Sequence, residues 1–293
     1  MALNDLLKIN IEKEWQIQIN IPVKIKQTFP INGGDICLSY RMETDRGTFF
    51  LKSGKANTPQ DLFEKEFEGL QLLSKSNTIA VPRPLVYLKS GTSGFLVMEF
   101  IHKSHVKENF WEIFAEKLAL LHQTGHSHFG LERDNYIGIL PQVNNLQKNW
   151  TDFYAFQRLE PLIKRCVDDK MLPLETIGQS ANLYKKLPEI FPDEKPALIH
   201  GDLWGGNFLP SADGNPFIFD PATYFGNREM DLAMTRLFGG FDRKFYWHYQ
   251  EMFPLQPGWA ERIEICQLYY LLVHAVLFGG GYVQRVRKIL EGF

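Results

Sequence analysis

The chain has 293 residues, 44% hydrophobic and 23% charged, and 32 Lys and Arg against 34 Asp and Glu give it a formal net charge of −2. This length can bury a large core as one domain or two lobes, and the near-neutral charge argues against nucleic acid or a membrane surface as a partner. The three cysteines are far apart, which predicts neither a disulfide framework nor a zinc site, and no signal peptide is visible, so we expect a cytoplasmic protein.

The first hundred residues are predicted to be β-rich around one helix. Alternating or apolar runs predict strands at 15–19, in part of 23–26, and at 36–42, 48–52, 85–88 and 94–100. A helix is predicted at 58–74, because the apolar residues there fall on one helical face.

The rest of the chain is predicted to be mainly helical. Helices are expected at 108–124, 150–167, 177–187, 259–278 and 284–290, with another beginning at 229. The most apolar segment, 268–283, is too short to span a bilayer, so a buried helix is expected there. We predict an α+β, bilobal fold with a small β-rich N-lobe (1–101) and a larger helical C-lobe (102–293).

The C-lobe contains the most informative stretch of the chain, His-Gly-Asp-Leu-Trp-Gly-Gly-Asn at 200–207, followed by an aspartate at 220. Apolar residues on both sides of Asp-Gly-Asn at 213–215 predict a β-hairpin. Its two strands would carry Asn207 and Asp220 to the same end, where both side chains could reach one ion.

An acid, an amide and a second acid at these spacings are the layout of a kinase active site. Asp202 would orient a hydroxyl group and accept its proton. Asn207 and Asp220 offer the hard oxygen ligands that Mg²⁺ prefers, and would hold the ion on ATP. Each residue taken alone could be a helix cap, a turn residue or an exposed acid; their joint spacing favours the catalytic interpretation.

Lys52 ends an apolar strand and is the candidate lysine for the ATP phosphates. Such a lysine pairs with a glutamate on the following helix. Glu66 is the preferred partner, with Glu64 and Glu68 as rivals on the same helix. The alternative for Lys52 is a solvated charge at the end of a strand.

Two weaker signals also point to nucleotide binding in the N-lobe. Gly33 and Gly34 form a turn whose backbone N–H groups could approach phosphates, although a plain hairpin turn has the same pattern. Met98, Glu99 and Phe100 close the β-rich part, where backbone groups could bind an adenine edge; a simple last strand is the alternative.

The link from Asp220 to Asp231 is short. Asp231 opens a helix, and we expect it to bind backbone N–H groups of the 200–207 loop. Pro221 and Ala222 follow Asp220 in place of the Phe-Gly pair of protein kinases. No long phosphorylatable segment fits here, which favours a small-molecule substrate and no phosphorylation switch.

Trp204 and His274 are the candidate substrate residues. An aromatic face within the 200–207 loop could pack against the C–H side of a sugar ring. The alternative for Trp204 is an aromatic core residue, and for His274 a hydrogen-bonded core histidine.

These residues together resemble the fructosamine kinases (ketosamine-3-kinases), a branch of the protein-kinase-like superfamily near the aminoglycoside phosphotransferases. The resemblance covers nearly the whole chain. Besides the residues above, it rests on segments 81–84, 129–130, 134–138, 219–222, 226–234, 237–241, 271–274 and 278–282, and on Gln142, Trp150, Phe153 and Arg158.

The resemblance implies ATP-dependent phosphorylation of the 3-hydroxyl of a ketosamine, free or protein-borne, after which the adduct breaks down and the amine is deglycated. Two positions depart from the family pattern. Asn227 stands where members often have His, and Asp35 where some have a redox-sensitive Cys, while Cys37 lies two residues further along.

Two other functions fit part of the pattern. A kinase of another small hydroxyl compound, such as an aminoglycoside, would share Asp202, Asn207 and Asp220. A non-catalytic nucleotide-binding module would need only part of the site, and the complete set with Lys52 argues against it.

Overall fold

The computed structural model describes residues 3–31 and 36–293 and has a β-sheet N-lobe and a helical C-lobe, as predicted. The N-lobe sheet is antiparallel, with spatial order β1-β2-β3-β5-β4. Its strands are β1 (Ile25–Ile31), β2 (Leu38–Thr44), β3 (Gly47–Ser53), β4 (Pro84–Leu88) and β5 (Phe95–Glu99). The last four correspond to predicted strands.

The first helix corrects one prediction. Residues 15–19, predicted as a strand, are the end of helix α1 (Asp5–Ile19). Ile11 and Trp15, four residues apart, are buried against the sheet, whereas Ile17 is 62% exposed. The segment is helical because residues spaced four apart then lie on one apolar face that packs on the sheet. The alternating apolar residues at 15, 17 and 19 do not lie on one face of this helix.

Helix α2 (Leu62–Lys75) packs on the opposite face of the sheet. Successive residues of β5 point to opposite faces. Phe95 and Val97 accordingly join the core with α1, and Leu96 and Met98 join the core with α2. The sheet is therefore covered on both faces.

The C-lobe is built from helices and three short two-stranded sheets among the described residues. Its helices are α3 (Phe110–His122), α4 (Trp150–Phe153), α5 (Glu160–Asp168), α6 (Thr176–Ile190), α7 (Glu229–Leu237), α8 (Arg243–Met252), α9 (Trp259–Phe278) and α10 (Gly281–Leu290). Its strands are β6 (Asn135–Ile137), β7 (Leu140–Gln142), β8 (Ala197–Ile199), β9 (Phe208–Pro210), β10 (Pro216–Ile218) and β11 (Tyr224–Gly226). The single helix predicted at 150–167 contains a π-helical segment, Tyr154–Leu159, between α4 and α5.

Among residues 3–31 and 36–293, no helix has the length and apolar character needed to cross a membrane.

One hydrophobic cluster extends across both lobes. Phe63 and Leu70 of α2 pack in the same cluster as Phe114, Leu118 and Leu203 of the C-lobe.

Candidate active site

The β9–β10 hairpin has the predicted form and brings Asn207 and Asp220 together. Phe208 pairs with Ile218, and the Phe219 N–H donates to the Asn207 carbonyl at 3.0 Å. The two residues that flank the hairpin therefore lie at the same end, as the sequence predicted.

Asp202 lies beside Asn207. The Asn207 amide nitrogen donates to the Asp202 carbonyl oxygen at 2.9 Å and to its Oδ2 at 3.2 Å. Since both bonds use the nitrogen of the amide, the Asn207 Oδ1 is left to act as an acceptor or metal ligand.

The Asp202 carboxyl group has an unusual environment. Burial, together with the negative charge of Asp220, raises the pKa of Asp202 from 3.8 to about 7. A buried carboxyl group beside a second carboxylate is a setting in which a divalent cation is stabilising. The oxygen donors of Asn207 and Asp220 suit Mg²⁺, which takes few protein ligands and completes its shell with phosphate and water.

Asp231 holds the 200–207 loop as predicted. Its carboxylate accepts from the His200 N–H at 2.7 Å and the Gly201 N–H at 2.8 Å. His122 lies 3.1 Å from the same carboxylate, and although burial alone would raise the pKa of Asp231, the bonds to His122 and the loop lower it. A buried anion on α7 therefore fixes the backbone before Asp202.

His200 and Gly201 complete this loop. The His200 Nδ1 accepts from the Asp202 N–H at 3.2 Å, so its Nε2 carries the proton and donates to the Phe219 carbonyl at 2.9 Å. Burial lowers the pKa of His200, which favours this neutral form. Gly201 has φ +82°, and a Cβ there would collide with the Ala222 carbonyl, so the motif requires glycine.

On the N-lobe side, Lys52 forms ion pairs with Glu66 of helix α2 and with Asp220 of the C-lobe. Its Nζ lies 2.8 Å from both Glu66 carboxylate oxygens and 2.8 Å from the Asp220 Oδ1. Burial alone would lower the pKa of Lys52, but the charges of Asp220 and Glu66 raise it. Lys52 is therefore a fixed cation that links the lobes.

The pairing of Lys52 with Glu66 is confirmed against its rivals. Glu64 instead binds Lys89 at 2.7 Å, and Glu68 binds Arg133 at 2.9 Å. Glu66 is the buried member of the three, because it lies on the side of α2 that faces the sheet.

The weaker nucleotide signals remain predictions. Gly33, Gly34 and Asp35 lie outside the described residues. Met98 is buried in β5. The Glu99 N–H donates to the Arg83 carbonyl at 2.9 Å, so it is already used within the sheet.

Phe100 follows the end of β5 and contacts the ring of His102 at 5.1 Å between centroids. The backbone beyond the Glu99 N–H is therefore the place where an adenine edge could bind. That role, too, remains a prediction.

Trp204 and His274 belong to one aromatic cluster, which also contains Phe238 and Tyr282. Trp204 is 38% exposed and lies edge-to-face with Phe238 at 5.9 Å. The ring of His274 lies 4.9 Å from Phe238 and 5.0 Å from Tyr282. A half-exposed aromatic surface thus adjoins the Asp202 loop.

His274 also makes the bond expected of a core histidine. Its Nδ1 donates to the Tyr270 carbonyl at 2.8 Å, and burial lowers its pKa, which favours the neutral ring. Sequence reasoning gave no role to Phe238 or Tyr282, although each adjoins a glycine run, at 239–240 and 279–281, that could have marked a shaped surface.

The structure describes Asn227, one of the two departures from the family pattern, and Cys37, the cysteine nearest to the other. The Asn227 Oδ1 accepts from the Glu229 N–H at 2.8 Å, at the start of α7, so asparagine serves there as a helix-capping residue. Cys37 is buried, and burial raises the pKa of its thiol to about 11. The thiol form of Cys37 is therefore the stable one at neutral pH.

Comparison with known proteins identifies the family. A sequence model of the fructosamine kinase family matches residues 8–293. A probable ketoamine kinase of Synechocystis sp. is 37% identical over 276 residues, covering 92% of this chain and 91% of that protein. The ketosamine-3-kinase of Mus musculus is 33% identical over 286 residues, covering 88% of this chain and 92% of that protein.

The solved structures agree. A crystal structure from Haemophilus somnus, assigned by its name to the fructosamine-3-kinases, has a TM-score of 0.86 and 30% identity over 96% of both chains. A choline kinase from Streptococcus pneumoniae shares the fold, with a TM-score of 0.65 and 18% identity over 99% of this chain and all of that one. The chain belongs to the fructosamine kinase family.

Proposed function

We propose that this chain is an ATP-dependent kinase that phosphorylates the 3-hydroxyl of ketosamines, the sugar adducts of amines. The observation that carries the proposal is the gathering of Asp202, Asn207 and Asp220 at one end of the β9–β10 hairpin, against the Lys52–Glu66 pair. Family membership and the name of the mouse relative support a ketosamine as the acceptor.

The nucleotide would bind between the two lobes, which we divide near residue 101. Lys52, fixed by Glu66, would bind its phosphates, with the turn of Gly33 and Gly34 close by. Backbone groups in the segment of Met98, Glu99 and Phe100 would bind the adenine edge.

Asn207 and Asp220 would hold Mg²⁺ by one amide and one carboxylate oxygen. When bound, the ion neutralises negative charge on the triphosphate. The fit rests on the donor set and on the neighbouring Asp202 carboxyl group, whose pKa is raised by burial and by the negative charge of Asp220.

Asp202 would align the acceptor hydroxyl group. As the hydroxyl oxygen bonds to the γ-phosphorus and the bond from that phosphorus to ADP breaks, the hydroxyl proton passes to the Asp202 carboxylate. Trp204 and His274, with Phe238, would provide an apolar surface for the C–H face of the sugar.

An assay of ADP release tests this function. Fructose-lysine and ribulose-lysine would be compared with a panel of aminoglycosides, and NMR would identify the phosphorylated carbon. We expect turnover on the ketosamines with phosphate on carbon 3. Turnover confined to aminoglycosides, or ATP binding with no transfer to any ketosamine, would contradict the proposal.

A further inference from the structure

We propose that the β6–β7 hairpin, residues 135–142, is a clamp that positions Asp220 relative to helix α2 and thereby sets how tightly the site binds Mg²⁺ with nucleotide. This inference rests on the proposed function, because it takes Asp220 as a metal ligand. The hairpin lies between α2 and the segment 220–223 that follows the β9–β10 hairpin.

Two buried amides of the clamp hold the backbone just after Asp220. The Asn135 amide nitrogen donates to the Thr223 carbonyl at 2.8 Å, and the Gln142 amide nitrogen donates to the Ala222 carbonyl at 3.0 Å. Both side chains are buried, at 8% and 2% exposure. Such bonds are directional, and losing one leaves a buried carbonyl unpaired.

A second layer fixes the orientation of these amides. The Gln142 Oε1 accepts from the Tyr269 hydroxyl at 2.7 Å. The Asn135 Oδ1 accepts from the Gln142 amide at 2.7 Å and from the Asn144 amide at 2.8 Å. With their oxygens occupied by donors, the two amides can present only their nitrogens to the 222 and 223 carbonyls.

Arg158 holds Asn144, which is part of this second layer, in place. It is fully buried and donates to the Asn144 Oδ1 at 2.6 Å. Its guanidinium lies 4.4 Å from the Phe153 ring and 4.1 Å from the Tyr224 ring. An always-charged group held between two ring faces has little freedom to move.

The other side of the clamp binds helix α2, which carries Glu66. The Tyr136 hydroxyl donates to the Asp61 Oδ1 at 2.6 Å, just before α2. Arg133, two residues before the hairpin, binds Glu68 at 2.9 Å. Gly69 of α2 faces Pro221, since a Cβ at Gly69 would lie 3.4 Å from the proline Cγ.

The clamp therefore contacts both the helix of Glu66 and the segment of Asp220. Asp220 itself has φ +56°, a conformation that a non-glycine residue keeps only when its surroundings hold it. In this arrangement the Lys52 pairs with Glu66 and Asp220 form without any phosphorylated segment. The clamp residues are positioning residues that act through the backbone of 220–223.

The test replaces Gln142 with methionine, which has a similar length and shape and removes all three hydrogen bonds of the side-chain amide. Binding of the non-hydrolysable analogue AMP-PNP is measured by calorimetry across a range of Mg²⁺ concentrations, without any acceptor. Hydrogen exchange of the backbone amides of Asp220, Ala222 and Thr223 is measured in the nucleotide-free protein. The matched control is Ile163→Val, a buried change on α5.

We expect Gln142→Met to need about tenfold more Mg²⁺ for half-maximal AMP-PNP binding, in the range known for residues that orient metal ligands. Exchange at 220–223 should become faster in this variant, and Ile163→Val should change neither. Wild-type Mg²⁺ dependence and wild-type exchange in Gln142→Met would show that the hairpin is core packing only, and would overturn the inference.

If Gln142→Met does not fold, Tyr269→Phe decides the matter, because it removes only the hydroxyl that orients Gln142. A raised Mg²⁺ requirement in Tyr269→Phe supports the clamp, and an unchanged one overturns it. A wild-type protein that binds AMP-PNP with Mg²⁺ but phosphorylates no ketosamine contradicts the proposed function alone, since the binding measurements still decide on the clamp.

Discussion

The two ends of the candidate site are built differently. At the proposed nucleotide end, Lys52, Glu66 and Asp220 are joined by ion pairs of 2.8 Å, and Asp231 holds the loop of Asp202 through backbone bonds. At the proposed acceptor end, aromatic rings contact one another at 4.9–5.9 Å between centroids.

This difference separates chemistry from recognition. Charged groups fixed by hydrogen bonds hold reacting groups in place, and they tolerate little change. Aromatic contacts are less directional, and each is worth little alone. We therefore expect changes at the polar end to reduce the rate strongly, and changes at the aromatic end to reduce acceptor affinity modestly.

The largest effect is expected for Asp202→Asn. Removing the proton acceptor should lower kcat at least ~10²-fold, the low end of general-base contributions, with little change in the KM for ATP. Kinetics with saturating ketosamine provide the measurement, and the exposed Asp193→Asn is the control. A variant with near-wild-type turnover would remove Asp202 from its role.

The pH dependence should follow the same carboxyl group. Burial and the charge of Asp220 raise the pKa of Asp202 to about 7, so the reactive carboxylate is present above that pH and is lost as pH falls through it. We expect kcat/KM to fall roughly tenfold per unit on the acid side. An acid limb near the ordinary value of 3.8, with the protein still folded, would contradict this assignment.

The smallest effect is expected for Trp204→Leu. Loss of one aromatic face, worth roughly 0.5–1.5 kcal/mol, should raise the KM for the ketosamine about two- to thirteenfold and leave the KM for ATP unchanged. Trp247→Leu on α8, 60% exposed, is the matched control. A hundredfold loss of kcat in Trp204→Leu would break the division between the two ends.

The sequence predicted the polar end well because each of its two parts, 52–66 and 200–231, is a short segment with its own local pattern. The 208–218 hairpin follows from its turn residues, and it alone brings Asn207 beside Asp220. Glu66 is preferred over its rivals because it lies in the middle of the predicted helix, and the structure places it on the buried face of α2. The strand predicted at 15–19 was wrong because a short alternation is compatible with a helix whose buried face is set by tertiary contacts.

The parts that were missed depend on distant contacts. Asn135 and Gln142 reach residues 88 and 80 positions away in the chain, and no local pattern marks an amide that will bind a remote carbonyl. The aromatic cluster has the same origin, since Phe238 and His274 come from different helices or their ends. Such roles become visible only once the chain is folded.

The hydrophobic cluster shared by α2 and the C-lobe has a consequence for how the molecule behaves as a whole. Phe63 and Leu118 belong to one continuous hydrophobic core. Separating the two lobes would therefore expose apolar surface to water, at a free-energy cost of roughly 25 cal/mol per Å². Wide separation of the two lobes is therefore disfavoured. Either lobe expressed by itself would expose its part of this apolar surface to water.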